Sequence, residues 1–443
     1  MLQRKVMERL LFWKQHKTKQ AMFITGARQI GKTYIIREFA ADQYEVFVEF
    51  NLILDKAVRD SFKAASSAED LYLRISIAAQ AQLVPGKTLI FFDEVQECPE
   101  LITYIKALVD RGQYDYALSG SLLGVTLENI RSYPAGYMTE IAMYPLDFEE
   151  FCWANGLSVE HVETAKTACL DKEPVHDFLH QRIMELFHRF LIVGGMPDTV
   201  VAFIRDQSID QVRIAQDSVV IAYQHDITKY APKDRRLVIR NIYDLIPSEL
   251  SSQSKRFRLD SIDNVKRFKQ VQDEFLWLAN ANVALPVFNV AAPISPLRIN
   301  ESRSVFKLFM SDVGMLSGRY PKQASLGLLD GRPAAHIGAT YENYVAQELA
   351  AHGFNLRYFT KHKLGEIDFV VEDNAGSIIA LEVKSGNSYK THAALSNALK
   401  VAEYGIDDAL VLAETNVETR GEVTYLPLYA TMVLQADSLR PTL

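Results

Sequence analysis

One short segment constrains the fold of this chain more than any other. Residues 26–33 read Gly-Ala-Arg-Gln-Ile-Gly-Lys-Thr and fit the phosphate-binding pattern G-x-x-x-x-G-K-[ST]. The apolar run Ala21–Thr25 before it predicts a buried strand, and Tyr34–Ala41 after it predicts the start of a helix. Because the pattern is specific only in this strand–loop–helix context, we expect a loop whose backbone N–H groups surround a phosphate at a helix N-terminus.

This loop predicts the residues of a nucleotide site. Lys32 is expected to reach the β- and γ-phosphates of ATP, and the hydroxyl of Thr33 to bind Mg²⁺. The residues expected to contact the nucleotide are Gly26, Ala27, Arg28, Gln29, Ile30, Gly31, Lys32, Thr33 and Tyr34.

A second apolar run, Thr88–Phe92, ends in two carboxylates, Asp93 and Glu94. The carboxyl ends of strands are where a parallel sheet places its chemistry. We expect Asp93 to hold the Mg²⁺, directly or through water, and Glu94 to polarise the attacking water. A further short strand ends near Ser119, our first choice for a residue that senses the γ-phosphate or orients this water, with Ser121 the second.

Composition limits the class of protein. The chain has 443 residues, 23% of them charged and 48% hydrophobic, which is enough for two to four folded domains. The three cysteines are far apart and form no C-x-x-C pair, so we expect no zinc module and a reducing, cytoplasmic location. We find neither a signal peptide nor an apolar run of membrane-spanning length, and we expect no membrane partner. Residues 1–20 predict an amphipathic helix that packs on the first domain.

The order of predicted elements indicates an α/β multidomain fold. Residues 1–150 alternate strands and helices as in a parallel sheet, and residues 151–225 are helical. In residues 226–325, short helices precede two strands, Val283–Val290 and Ser304–Phe309, which suggests a winged-helix unit. A new α/β pattern occupies residues 330–443.

Charged residues in this last segment suggest a second site. Glu342 lies on a predicted helix, Asp368 on a strand, and Glu382 and Lys384 two residues apart on the next strand, where they share one face. This layout is typical of a one- or two-metal phosphodiesterase site. We expect Glu342, Asp368 and Glu382 to hold Mg²⁺ or Mn²⁺, and Lys384 to orient water or stabilise the phosphorus. A charged sheet edge or a salt-bridged cluster without turnover is the alternative.

The chain is acidic overall, with a net charge of −7, but residues 229–269 hold eleven basic and five acidic residues. Such a local excess suits binding to a nucleic-acid backbone, and a solvated helical face is the alternative. The basic residues are Lys229, Lys233, Arg235, Arg236, Arg240, Lys255, Arg256, Arg258, Lys266, Arg267 and Lys269, and the acidic ones Asp234, Asp244, Glu249, Asp260 and Asp263.

The whole chain resembles a family of prokaryotic AAA-superfamily ATPases whose C-terminal half is a domain of unknown function of the PD-(D/E)xK, restriction-endonuclease-like type. The resemblance rests on residues 26–33, 93–96, 119–123, 144–151, 193–197, 366–368 and 382–384. It implies ATP binding, an AAA-like core and a winged-helix middle. Many relatives carry Gly-Arg shortly before the Tyr-Pro-Leu segment, whereas Tyr137 follows Gly136 here. Any arginine finger must therefore come from elsewhere, such as Arg131 or another subunit.

These features support two hypotheses. In the first, an ATPase acts on duplex or branched DNA, in genome defence or DNA processing, with a metal-dependent nuclease domain. In the second, the chain is a nucleotide-dependent switch or scaffold whose nuclease-like domain binds without cutting. A homo-oligomer is compatible with both.

Overall fold

The computed structural model describes residues 2–120, 136–262, 265, 267–329, 336–386 and 388–437. Ser121, Arg131, Asp263 and Lys266 lie outside this part of the chain. Contacts divide the protein into two compact units. One is Arg4–Tyr144, and the other comprises Pro145–Leu443 together with Met1–Gln3. Within the described residues, no helix combines the length and the apolar character needed to cross a membrane.

The first unit is a five-stranded parallel sheet with helices, as the alternating pattern predicted. Its strands are β1 (Ala21–Thr25), β2 (Val46–Asn51), β3 (Thr88–Asp93), β4 (Asp115–Gly120) and β5 (Met138–Ala142), in the spatial order β2-β3-β4-β1-β5. Its helices are α1 (Val6–His16), α2 (Lys32–Gln43), α3 (Lys56–Lys63), α4 (Ala68–Ala78) and α5 (Glu100–Asp110).

This strand order decides which side chains meet. β4 lies between β1 and β3, so the ends of all three strands are neighbours at one edge of the sheet. Every residue of β1 and β3 is buried, as expected for strands covered by helices on both faces. At the same edge, Asn51 at the end of β2 is in register with Asp93 at the end of β3.

The second unit begins with helices. These are α6 (Phe148–Ala154), α7 (Val159–Leu170), α8 (Asp177–Val193), α9 (Pro197–Asp206), α10 (Ile209–Tyr230), α11 (Arg236–Leu250) and α12 (Gln272–Asn280). An antiparallel hairpin of β6 (Ala284–Val290) and β7 (Glu301–Met310) follows, and then α13 (Val313–Ser317) and α14 (Lys322–Leu329).

The described residues of the C-terminal part form α15 (Ile337–Ala351), α16 (Ala393–Leu399) and seven strands. These strands are β8 (Arg357–Lys361), β9 (Gly365–Ile367), β10 (Phe369–Glu372), β11 (Ile378–Val383), β12 (Ile406–Ala413), β13 (Glu418–Arg420) and β14 (Val423–Pro427). Five of them form a sheet in the order β10-β11-β12-β14-β13, whereas β8 and β9 extend the hairpin into a four-stranded sheet, β7-β6-β8-β9.

The hairpin is thus shared between two of the predicted segments. We expected it to belong to a winged-helix unit ending near residue 325, but β6 pairs in parallel with β8, from the predicted nuclease-like segment. The division into four domains and the winged-helix assignment stay predictions. The pairing has a direct consequence, because it places the side chains of β7 close to the C-terminal carboxylates.

A glycine pair, Gly194 and Gly195, lies between α8 and α9 and packs closely against other parts of this unit. A Cβ on Gly195 would lie 1.9 Å from the carbonyl oxygen of Leu146, and one on Gly194 would lie 2.2 Å from Asp312. The Gly195 carbonyl accepts from the Leu146 N–H at 2.7 Å, and the buried Asp312 carboxylate accepts from the Gly195 N–H at 2.6 Å. No other residue type fits at Gly195 without backbone movement.

Candidate functional site

The predicted phosphate loop lies between β1 and α2, as its pattern requires. Its backbone has positive φ angles at Gly26 (145°), Gln29 (62°) and Gly31 (91°), which turn the chain around the space before the helix. A Cβ on Gly26 would lie 2.2 Å from the carbonyl oxygen of Met143, so glycine is required there for packing as well.

The side chains of the loop differ in burial and in what they can offer a nucleotide. Ala27 and Ile30 are buried, so they offer a nucleotide only their backbone, and Tyr34 on the first turn of α2 is exposed. Lys32 is buried, and its Nζ donates to the carbonyl oxygens of Gly26 at 3.1 Å and Ala27 at 2.7 Å. The ammonium group therefore lies over the loop, where it can exchange these carbonyls for phosphate oxygens.

Asp93 connects the loop to two neighbouring strands. The hydroxyl of Thr33 donates to its carboxylate with both oxygens at 3.1 Å, and the Nδ2 of Asn51 donates to Oδ2 at 3.1 Å. The hydroxyl of Ser119, at the end of β4, also donates to Oδ1 of Asp93. Burial raises the pKa of Asp93, and the hydrogen bonds from Ser119 and Thr33 oppose this shift.

Glu94 extends this network by one residue. Its backbone N–H donates to the hydroxyl of Ser119 at 3.2 Å, so Ser119 contacts both acidic residues. The carboxylate of Glu94 accepts from the Nε2 of Gln96, and the guanidinium of Arg28 lies 3.9 Å from it. Glu94 has a left-handed backbone, with φ of 60°, which is uncommon for a residue with a side chain and is more frequent at functional sites.

This donor set fits a magnesium nucleotide. A hydroxyl and a carboxylate are the hard oxygen ligands that Mg²⁺ prefers, and Thr33 and Asp93 already lie side by side. The predicted residues Lys32, Thr33, Asp93, Glu94 and Ser119 are thus brought together at one edge of the sheet.

Two further residues of this site were not predicted from sequence. Asn51 could have been found only from the strand register. Arg4 donates to the carbonyl oxygen of Ile30 at 3.0 Å and so supports the loop from the segment that leads into α1, an interaction with no sequence signal.

The C-terminal carboxylates surround a residue that sequence analysis missed. Lys307 on β7 is 1% exposed, and its Nζ lies 3.4 Å from Glu342, 3.0 Å from Glu366 and 3.7 Å from Asp368. Burial alone would lower the pKa of Lys307, but Glu342, Asp368 and Glu366 outweigh it, and the pKa is raised. The only sequence signal was one cation inside the apolar run Phe306–Phe309.

Other cations complete the set. Lys255 forms an ion pair with Glu342, and the guanidinium of Arg256 lies 2.8 Å from Glu366. Lys384 lies 3.1 Å from the carboxylate of Glu382, so these two side chains share one face as predicted. We define the four carboxylates and four cations together as the C-terminal charge cluster. Its members are Glu342, Glu366, Asp368 and Glu382 with Lys255, Arg256, Lys307 and Lys384.

Asp368 is the least compensated carboxylate of this cluster. Its Oδ2 accepts from the Val383 N–H at 2.8 Å. Burial and then the nearby charge of Glu342 raise its pKa to about 7, against the opposing effect of Lys307. In contrast, Lys307 and Lys255 overcome the effect of burial at Glu342 and lower its pKa.

This arrangement does not fit the divalent ion that we predicted at Glu342, Asp368 and Glu382. An ammonium group contacts Glu342 and Asp368, and each of the four carboxylates has a cation within ion-pair distance. Within the described residues, no three His, Cys, Asp or Glu side chains are grouped so as to hold a metal ion.

Many basic residues of segment 229–269 also have internal partners. Arg235 lies 3.0 Å from Glu274, Arg258 lies 3.2 Å from Glu249, and Arg240 lies 3.6 Å from Asp244. With Lys255 and Arg256 in the charge cluster, much of the positive charge neutralises this unit's own carboxylates.

Comparison with protein families supports the assignment of the first unit. Residues 18–152 match the model of an AAA domain (AAA_14), residues 184–323 match the domain of unknown function DUF8612, and residues 337–430 match DUF4143, also of unknown function. No curated protein matches the sequence. The first unit is therefore a P-loop, AAA-like ATPase domain, whereas the family matches assign no activity to the rest of the chain.

Three of the solved structures that are similar to this chain are distant from it in sequence. The Walker-type ATPase PABY2304 of Pyrococcus abyssi is 13% identical with a TM-score of 0.42, over 72% of this chain and 95% of that one. The Orc1 protein of Aeropyrum pernix, solved in complex with DNA, is 12% identical with a TM-score of 0.26, over 74% and 91%. Caenorhabditis elegans PCH-2 is 13% identical with a TM-score of 0.27, over 49% and 65%. Structural similarity at these TM-scores is too low to indicate a function for this chain.

Proposed function

We propose that this protein binds Mg·ATP at the edge of the first sheet and hydrolyses it. The observation that carries the proposal is the position of Asp93, whose carboxylate accepts hydrogen bonds from both Thr33 and Ser119, beside Glu94. Three residues thus lie together without rearrangement: the candidate metal ligand Asp93, the polar residue Ser119 of the neighbouring strand, and the candidate base Glu94.

Each residue has a separate task. The loop N–H groups and Lys32 bind the phosphates, and Lys32 stabilises negative charge that develops during transfer. Thr33 and Asp93 would hold Mg²⁺, which would neutralise negative charge on the phosphates. Glu94 accepts a hydrogen bond from the attacking water and polarises it, and Ser119 fixes the orientation of that water relative to Glu94.

The direct test is phosphate release by the purified protein with ATP and Mg²⁺, with nucleotide binding measured separately. Binding and slow turnover would support the proposal. Absence of binding at millimolar ATP would reject the whole assignment, and binding without turnover would reject only hydrolysis by the isolated chain.

For the second unit, the charge cluster favours the switch or scaffold hypothesis. Lys307 contacts the carboxylates that a metal-dependent nuclease needs free, and this supports a nuclease-like domain that does not cut in the described arrangement. Metal-dependent DNA cleavage, in genome defence or DNA processing, is the alternative. It is supported by the presence of Glu342, Asp368, Glu382 and Lys384 in one cluster.

A cleavage assay separates the two hypotheses. Single-stranded, duplex and branched DNA would be incubated with Mg²⁺ or Mn²⁺, with and without ATP, and compared with the Asp368→Ala variant. No cleavage by the parent protein would support the switch. Cleavage that disappears in Asp368→Ala while ATP hydrolysis persists would establish the nuclease, and equal cleavage by both proteins would indicate a contaminant.

A further inference from the structure

The acidic and the basic residues of the charge cluster come mostly from different parts of the chain. All four carboxylates belong to the C-terminal part, on α15, β9, β11 and the residue between β9 and β10. Three of the four cations, Lys255, Arg256 and Lys307, precede α15 in the sequence, and Lys307 comes from the hairpin. Without these three, Lys384 would be the only cation of the cluster facing four carboxylates.

Lys307 occupies the space between three carboxylates of the cluster. Its ammonium group is buried and contacts carboxylate oxygens from two elements and from the residue that follows β9. A buried ammonium is stable only when charged neighbours replace its hydration, and here three carboxylates do so. The same carboxylates cannot also surround a metal ion, because the ion and the ammonium would share one place and repel each other.

We propose that Lys307 is an internal counter-ion that keeps the C-terminal carboxylate site free of metal, and that removal of its charge creates a divalent-cation site at Glu342 and Asp368. With Lys307 in place, each of the four carboxylates has a cation beside it, and a metal ion would meet a positive charge between Glu342 and Asp368. Without the charge of Lys307, three cations face the four carboxylates, and a hard cation such as Mg²⁺ or Mn²⁺ can take its place between Glu342 and Asp368. This inference rests on the proposed non-cutting role of the site and names the interaction responsible for it.

The test removes the ammonium group and measures metal binding without any assay of activity. Mn²⁺ would be titrated into the nucleotide-free full chain, and free Mn²⁺ followed by its electron paramagnetic resonance signal. All proteins would carry Asp93→Asn, so that the ATPase site loses its carboxylate ligand. Lys307→Met keeps most of the length and the apolar character of the side-chain stem but deletes its charge. We expect it to bind Mn²⁺ at least roughly tenfold more tightly than its parent, because a repulsive charge is removed at close range.

Two matched variants show that the gain belongs to this site. Lys307→Arg retains a positive charge and should bind Mn²⁺ no better than the parent. Lys307→Met combined with Asp368→Asn should lose the gained affinity. A thermal melt gives a second readout, since Mn²⁺ should raise the melting temperature of Lys307→Met but not that of the parent.

If Lys307→Met does not fold, Lys255→Met provides the second arm, because the Lys255 side chain is a quarter exposed and contacts the same Glu342. This change should also increase Mn²⁺ affinity, by a smaller factor. The proposal is overturned if the parent binds Mn²⁺ through Asp368 as tightly as Lys307→Met. It is equally overturned if the folded variants show no gain, because the cluster is then a structural ion-pair network. DNA cleavage by the parent would instead reject the non-cutting role, and that result is read in a separate assay.

Discussion

The hydroxyl of Thr33 lies 3.1 Å from both carboxylate oxygens of Asp93, although sixty residues separate them in the chain. This hydrogen bond joins the phosphate loop to the end of β3 and sets two oxygen ligands side by side before any nucleotide binds. A preorganised metal site of this kind loses little entropy on binding, so the first unit should take up Mg·ATP without large rearrangement.

Lys32→Ala should abolish ATP hydrolysis while the fold persists. The substitution deletes the charge that faces the transferred phosphate, and turnover should fall by at least ~10²-fold, as for other preorganised electrostatic groups. Phosphate release measures the effect. Lys19→Ala is the matched control, because Lys19 pairs with Asp110 on the surface and its side chain is 65% exposed. Equal turnover in Lys32→Ala and this control would contradict the site.

Glu94→Gln should bind ATP as the parent does but hydrolyse it on the order of 10²-fold more slowly, since the amide cannot accept a proton from water. Nucleotide affinity by fluorescence titration and turnover by phosphate release should therefore separate. A matched loss of affinity and turnover would instead mean that Glu94 holds the phosphate loop through Arg28. Glu69→Gln on α4 serves as the control.

Ser119→Ala tests the residue that contacts both acids. Removing a hydrogen bond to a carboxylate costs about 1.5–3 kcal/mol. If this loss falls on the transition state, turnover drops roughly 10- to 100-fold with ATP affinity nearly unchanged. Ser119→Thr, which keeps the hydroxyl, should recover part of the rate. A variant with normal turnover would show that Ser119 only supports the fold of the strand end.

The raised pKa of Asp368 should make the free energy of unfolding depend on pH. Its folded-state pKa is about 7, raised from 3.8, so the folded protein holds a proton that the unfolded chain has released. Stability from this group is complete below pH ~4 and is lost as pH rises to about 7, by at most ~4 kcal/mol. Urea melts at about pH 5 and about pH 7.5 measure it. Asp368→Asn should flatten the difference relative to the parent, and an unchanged difference would refute this origin.

Duplex DNA binding, if it occurs, should depend on the basic residues without internal ion pairs. Lys233, Arg267 and Lys269 are exposed and make no ion pair within the described residues, unlike Arg256 and Arg258. Neutralising these three should flatten the salt dependence of affinity, by about 0.9 in slope for each phosphate that the protein no longer neutralises. Neutralising Arg256 and Arg258 should mainly lower the melting temperature. Fluorescence anisotropy at several salt concentrations tests this. Absence of binding at low salt would mean that the basic segment is a solvated helical face that does not bind DNA.

The nucleotide site within residues 18–152 could largely be predicted from the sequence, because a phosphate loop is a local structure. The glycines, Lys32 and Thr33 act within eight consecutive residues, and the apolar runs on either side of the motif predict the strand and helix that position them. Asp93, Glu94 and Ser119 could be predicted because the carboxyl ends of parallel strands meet at one edge. The partner role of Asn51 depends on strand register, which no local pattern contains.

The C-terminal site was decided by the tertiary structure. The sequence placed Glu342, Asp368, Glu382 and Lys384 on suitable elements, and Glu382 and Lys384 do share one face. It provided no indication that Lys307 would be buried among the carboxylates, since that follows from the pairing of β6 with β8 across a segment of more than sixty residues. Whether these carboxylates hold a metal ion or an ammonium group depends on which charged side chains the fold brings within a few ångströms of them. A contact between charged residues that are far apart in the sequence produces no periodic pattern from which it could be predicted.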